Sequence, residues 1–171
     1  MESQTTSPNR DKGYIKKWPR KTLSEIIDFL EMVHPEGLNI RILAGELGMT
    51  PGSVSNLFRR DNMKLSKAEK IAEAYGYEIT LLFPTKKYPE GINPPNHGKT
   101  FEKAGKLRGL AMYIYDSNRN IHFVSNEMKM YSTMLNNAFN TGDILLTNLY
   151  KVTDHLGIIF FWRFEKKQQN H

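Results

Sequence analysis

The segment NIRILAGELGMTPGSVSNLFRR, beginning at Asn39, is restated from Asn120 as NIHFVSNEMKMYSTMLNNAFNT, 81 residues further on. Set side by side without a gap, residues 39–83 and 120–164 agree at Asn39, Ile40, Glu46, Met49, Asn56, Phe58, Leu65, Lys70, Gly76 and Phe83, which is 10 of 45 positions. Unrelated segments of average composition agree at roughly one position in sixteen to twenty. The same offset carries Ile42, Leu43, Leu47, Val54 and Ile71 onto Phe123, Val124, Met128, Leu135 and Val152, and upstream it carries Ile26, Phe29 and Val33 onto Leu107, Leu110 and Ile114. Repetition that keeps apolar positions apolar limits the chain to two copies of one architecture.

Those copies must be held by apolar packing. Cysteine is absent, which excludes disulfides, iron–sulfur clusters and thiolate zinc sites, and 39% of the 171 residues are hydrophobic. No apolar run is long enough to span a membrane, and MESQTTSPNRDKGYIKKWPRK has no apolar stretch of signal-peptide type, so a cytoplasmic protein without a membrane partner is expected. The net charge of +6 favours a polyanionic partner, and its placement matters more than its size.

Residues 1–21 carry six Lys/Arg against two acids and read as a flexible basic arm in which only Tyr14, Ile15 and Trp18 could dock. From Thr22, Leu23, Ile26, Ile27, Leu30 and Val33 recur at helical spacing, and TLSE fits a capping box on Thr22. A second helix follows Asn39 as N-cap and stops at Gly48; a third starts on Thr50 with Pro51 at its first position. A fourth starts at Ser66, buries Ala68, Ile71, Ala72 and Tyr75, and ends at Gly76, after which YEITLLF alternates as a strand. Residues 84–99 hold four Pro and two Gly and read as an extended linker. The predicted class is mainly α: one four-helix unit over 22–83, a second, diverged one over 100–164, a short strand after each, and a polar tail over 165–171.

Small Ala44 permits close helix approach, Gly48 a left-handed turn, and Val54 and Leu57 the return packing of the third helix. With these residues LAGELGMTPGSVSNLF resembles the helix-turn-helix of the Cro and phage-repressor family over about 60 residues of the first copy. The resemblance implies a third helix in the major groove of double-stranded DNA, its first residues at base edges and its ends at phosphates. By position it implies Thr50, Pro51, Gly52, Ser53, Ser55, Asn56, Arg59 and Arg60 as contacts, with Lys64 close behind. Asn56 has the amide to bond adenine bidentately, whereas Arg59 and Arg60 suit phosphate. Residues 22–84 are net acidic, six bases against nine acids, yet Arg59, Arg60, Lys64, Lys67 and Lys70 follow the turn while Glu25, Asp28, Glu31 and Glu36 precede it. The family's Gln at the start of the second helix is replaced by Ile40, and by Ile121 in the second copy.

In that second copy Ser125 stands for Ala44, Lys129 for Gly48 and Ala138 for Leu57. Its reading helix presents Tyr131, Ser132, Thr133, Asn136, Asn137 and Asn140 and no cation, a surface for a more A·T-rich half-site or a degenerate copy kept for assembly. The strand-like ends, Glu78–Phe83 and Ile158–Phe164, are expected to pair and relate the copies by a pseudo-twofold axis, although the resemblance implies a further helix there; exchange between chains would give a homodimer instead. The segment IKKWPRK could follow the DNA backbone or enter a minor groove, or be a solubilising tail. Scattered histidines, with no HExxH, phosphate loop or Ser/His/Asp grouping, argue against an enzyme, a metal site or a cofactor. The expectation is a nucleoid-associated bacterial or phage transcriptional regulator, with RNA polymerase or a second copy as further candidate partners. The alternative is a protein-interaction module that keeps the helix-turn-helix frame with little DNA binding.

Overall fold

Asn39, Gly48 and Thr50 punctuate the chain in the way their side chains dictate. In the computed structural model, which describes residues 18–84, 98–117, 121–130 and 132–168, the Asn39 side chain accepts hydrogen bonds from the Arg41 and Ile42 amides and opens a helix. Gly48 closes it at φ +66°, where a side chain would be strained. Thr50 then caps the next helix by accepting from the Ser53 amide, with Pro51 first in line.

The first half of the chain runs α1 (Ser24–Val33), α2 (Ile40–Leu47), α3 (Pro51–Arg59), α4 (Leu65–Ala74) and strand β1 (Tyr77–Leu82). The second half runs α5 (Gly98–Lys103), a 3-10 turn at Gly105–Leu107, α6 (Arg108–Asp116), α7 (Ile121–Glu127), α8 (Ser132–Thr141), α9 (Leu146–Leu156) and β2 (Phe161–Lys166). The described residues are thus mostly helical, with one small antiparallel sheet in which β1 pairs with β2. No helix among them is long and apolar enough to cross a membrane.

Packing is continuous: a single cluster of buried side chains includes Leu23, Ile26, Leu43, Val54, Phe58 and Ile71 of the first half and Leu107, Leu110, Val124, Leu135, Phe139 and Val152 of the second. Most of the apolar positions matched by the repeat lie in this core. Ile42 and Phe123 do not; they are about half exposed, at equivalent places on α2 and α7.

The halves are joined by contacts that recur in exchanged pairs. Leu81 lies opposite Trp162 in the sheet and Lys64 opposite Leu145 in an isolated antiparallel bridge; the members of each pair are 81 residues apart. Around the bridge the Leu65 amide donates to the Ile144 carbonyl at 2.8 Å, and the Leu146 amide donates to the Met63 carbonyl at 2.9 Å. The Ser66 amide donates to Asp143 Oδ1 at 2.9 Å, and the Thr147 amide to Asn62 Oδ1 at 3.1 Å. The first amides of α4 and α9, which no helix can satisfy internally, are therefore satisfied by the opposite half. At the sheet Phe164 stacks on Phe29 with ring centres 4.5 Å apart, and Phe83 stacks on Phe160 at 5.2 Å.

Several boundaries depart from the sequence expectations. Thr22 does not cap α1: Asp61 accepts from the Thr22 and Leu23 amides at 3.0 Å each, so a carboxylate from beyond α3 replaces the capping box. Helix α4 starts at Leu65, not Ser66, because its cap comes from Asp143. Residues 98 and 99, expected to close the linker, are helical, and 85–97 lie outside the described residues. β2 runs to Lys166, into the expected polar tail, while Ile158–Phe160 stay out of the ladder and Phe160 turns into the core. Trp18, one of the arm residues expected to be able to dock, does so by stacking on Phe58 with centres 4.8 Å apart; Arg20, read as part of the flexible arm, bonds Glu31 and Asp28 on α1. Tyr14 and Ile15 lie outside the described residues.

Candidate nucleic-acid interface

Helix α3 buries Val54 and Phe58 and leaves Leu57 half-covered, which turns the opposite side outward. On that outward side Pro51, Gly52, Ser53, Asn56, Arg59 and Arg60 are all exposed, and Ser55 is half-buried. Thr50 is exposed but committed to the helix start, with its hydroxyl also donating to Ser53 Oγ at 2.8 Å. Arg59 Nη2 donates to Ser55 Oγ at 3.1 Å, which lays the guanidinium back along the helix. Asn56 and Arg60 project from the same surface, and Lys64 is exposed at the N-cap of α4. The sequence-predicted residues of the first half therefore share one exposed helix and the segment that follows it.

The turn that places α3 is a backbone device. The Gly48 amide donates to the Gly45 carbonyl and the Met49 amide to the Ala44 carbonyl, and Ala44 is buried where α2 meets α3. In the second half the same bonds recur from Lys129 to Asn126 and from Met130 to Ser125. Lys129 keeps the left-handed conformation at φ +56° despite its side chain. Ser125 fills the small-residue position fully buried, its hydroxyl satisfied by the Ile121 carbonyl at 2.8 Å.

Helix α8 buries Leu135, Ala138 and Phe139 and exposes Thr133, Asn136, Asn137 and Asn140. Tyr131 lies outside the described residues, and of Ser132 the backbone alone is described, at the start of the helix. Between Ser132 and Thr141 there is no ionisable side chain. The two exposed helices thus share a frame and differ in charge.

On α1 the Glu31 carboxyl is held below its ordinary range by its hydrogen bond from Arg20, and Glu25 is pushed up by partial burial and then by Asp28. Arg20 therefore spends its charge on Glu31 and Asp28 of α1 and does not extend a basic arm. His34 bridges the Leu30 carbonyl and Glu46, and Tyr75, pushed up by burial and then by Glu46, donates to the same carboxylate at 3.3 Å. His155 lies at the end of α9 beside Glu127, the counterpart of Glu46. These groups tie α2 and α7 to their surroundings.

Sequence reasoning missed the residues just after α3 and α8 that bond the first amides of the opposite half's helix: Asn62, Met63, Asp143 and Ile144. Their signal was present in the repeat, since Asn62 and Asp143, like Met63 and Ile144, are 81 apart, but nothing local marks them as caps for a distant helix. Compared with protein-family models, curated protein sequences and solved structures, the chain matches none.

Proposed function

We propose that the chain is a covalent pseudo-dimer of two helix-turn-helix units that binds double-stranded DNA sequence-specifically and regulates transcription by occupying its site. Helix α3 is the principal reader, with Asn56 at base edges and Arg59 and Arg60 on phosphates, and α8 is the second. The observation that supports this reading is the set of contacts through Lys64–Leu145 and Leu81–Trp162, each joining residues 81 apart, in a chain that exposes one helix at the equivalent place of each copy. Twofold-related reading helices match a duplex, whose half-sites repeat about every 34 Å along one face. The exposed side chains of α3 offer hydrogen-bonding groups, and Arg59, Arg60 and Lys64 offer cations whose contact with phosphate would release counterions.

The test is selection of bound duplexes from a random pool by the full-length protein and by Asn56→Ala and Arg59→Ala variants. A two-part motif is expected. Asn56→Ala should relax preference in one part by about 1–3 kcal/mol, and Arg59→Ala should weaken binding across sequences while lowering the slope of log affinity against log salt by about one. Absence of enrichment at every salt concentration refutes the reading in favour of a protein-interaction module.

A further inference from the structure

We propose that Lys64 reaches across the axis to supply the phosphate-binding cation that α8 lacks, so that the second reading surface is built from both halves of the chain. The inference rests on the DNA-binding reading above. A recess of about 270 Å³ lies where the Lys64–Leu145 bridge meets α8, and Lys64 lines it together with Met134, Asn137, Thr141, Asp143 and Asn148. Lys64 is the one cation among the lining residues, and its side chain is exposed. Its backbone is held by the bridge, whose flanking hydrogen bonds fix where the side chain starts. Asp143, the acid of the recess, is already engaged: Oδ1 accepts from the Ser66 and Ile144 amides and Oδ2 from the Ser66 hydroxyl.

Divergence between the copies points the same way. The counterpart of Lys64 is Leu145, an apolar residue that lines the same recess, and the half that has Lys64 also has Arg59 and Arg60 on its reading helix. The uncharged helix has the lysine at its side. A helix of asparagines can discriminate bases through their amides but gains nothing from counterion release, and a cation set beside Asn137 supplies that missing component.

The experiment uses the full-length protein, a duplex enriched in the selection above, and Lys64→Gln, Lys64→Arg, Asn137→Ala and Arg59→Ala variants. Lys64→Gln should weaken binding about fivefold to tenfold near 0.1 M salt and lower the salt slope by about one, and Lys64→Arg should restore both. Phosphate ethylation interference locates the contact: the phosphates that lose their effect in Lys64→Gln should fall in the motif half that depends on Asn137. Their falling in the half that depends on Arg59 overturns the inference, as does unchanged affinity or a motif in which no half depends on Asn137. Failure of the wild-type protein to enrich any duplex removes the DNA-binding reading itself, and with it this inference, before any variant is compared. Equal melting of wild type and Lys64→Gln, expected because the side chain is exposed and the bridge uses only backbone, separates loss of contact from loss of fold.

Discussion

Asp143→Ala tests whether the halves are held by helix caps exchanged between them. Alanine removes three hydrogen bonds, from the Ser66 amide at 2.9 Å, the Ser66 hydroxyl at 2.7 Å and the Ile144 amide at 2.9 Å. Loss of an N-cap costs about 0.5–2 kcal/mol, and a bond to a charged group about 1.5–3 kcal/mol. The site borders an open recess, so water recovers part of this, and a net loss of about 2 kcal/mol follows. For a chain of this size about 2–4 °C of melting temperature goes with each kcal/mol, which sets the expected fall at about 4–8 °C. Asn62→Ala removes a single neutral bond, to the Thr147 amide, and should cost about 1 kcal/mol. Thermal melts give the magnitudes, and amide hydrogen exchange gives the location. Asp143→Ala should speed exchange at Ser66, 77 residues away in sequence, and leave Thr147 alone; Asn62→Ala should do the reverse. Faster exchange confined to the segment around the mutated residue, with the melting temperature lowered by less than about 2 °C, would refute the exchange of caps.

Three further outcomes follow from single positions. Gly48→Ala should destabilise by about 1 kcal/mol through backbone strain alone, since a Cβ there meets nothing within 4 Å, and Lys129→Gly should stabilise by a similar amount; urea denaturation measures both, and a stabilising Gly48→Ala refutes the argument. Gly109→Ala would place its Cβ 2.9 Å from Phe83 Cδ2 and should cost about 1–3 kcal/mol, where an unchanged denaturation midpoint would show that the Phe83 ring moves freely. The Glu69 carboxyl is raised chiefly by burial, opposed by Lys106 and reinforced by Asp143 and Glu73. Its folded pKa lies above its unfolded one, so its contribution is fully present below the unfolded pKa and is lost as pH rises through the folded value. Glu69→Gln should therefore raise the melting temperature at neutral pH and leave it unchanged near about pH 3, below the ordinary Glu range; an equal rise at both would refute the assignment.

What the sequence made legible were signals completed within a few residues. Asn39, Gly48, Thr50–Pro51 and Gly76 each do their work through neighbouring backbone, and all four stand where local chemistry puts them. The strand pairing was also legible, because two apolar strands lacking partners have each other as a solution. The failures share one cause. Thr22 loses its cap role to Asp61 and Ser66 takes its cap from Asp143; in each case a segment 39 or more residues distant supplies the partner, and no local pattern encodes that. Ile42 and Phe123 mislead differently: the repeat keeps them apolar at positions the core does not use. For the candidate site, the sequence located α3 and its exposed residues but not the Asn62–Met63 and Asp143–Ile144 pairs that bond the opposite half just after α3 and α8.

The contacts between the halves explain how the two copies could diverge so far while keeping the bonds that join them. At the bridge the bonds run between Leu65 and Ile144 and between Leu146 and Met63 through main-chain groups, so Lys64 and Leu145 can differ without disturbing them. Caps need only an acceptor, and Asn62 and Asp143 both provide one. In a homodimer every substitution appears twice, on both reading surfaces and on both sides of the interface. Joining the copies in one chain removes that constraint: the main-chain bonds between the halves are kept while α3 and α8 change independently. Under the DNA-binding reading, a basic α3 opposite an uncharged α8 then calls for a site whose halves differ in sequence and in salt sensitivity, bound in one orientation. Such a protein marks a direction along the duplex, which a symmetric dimer of identical chains cannot do.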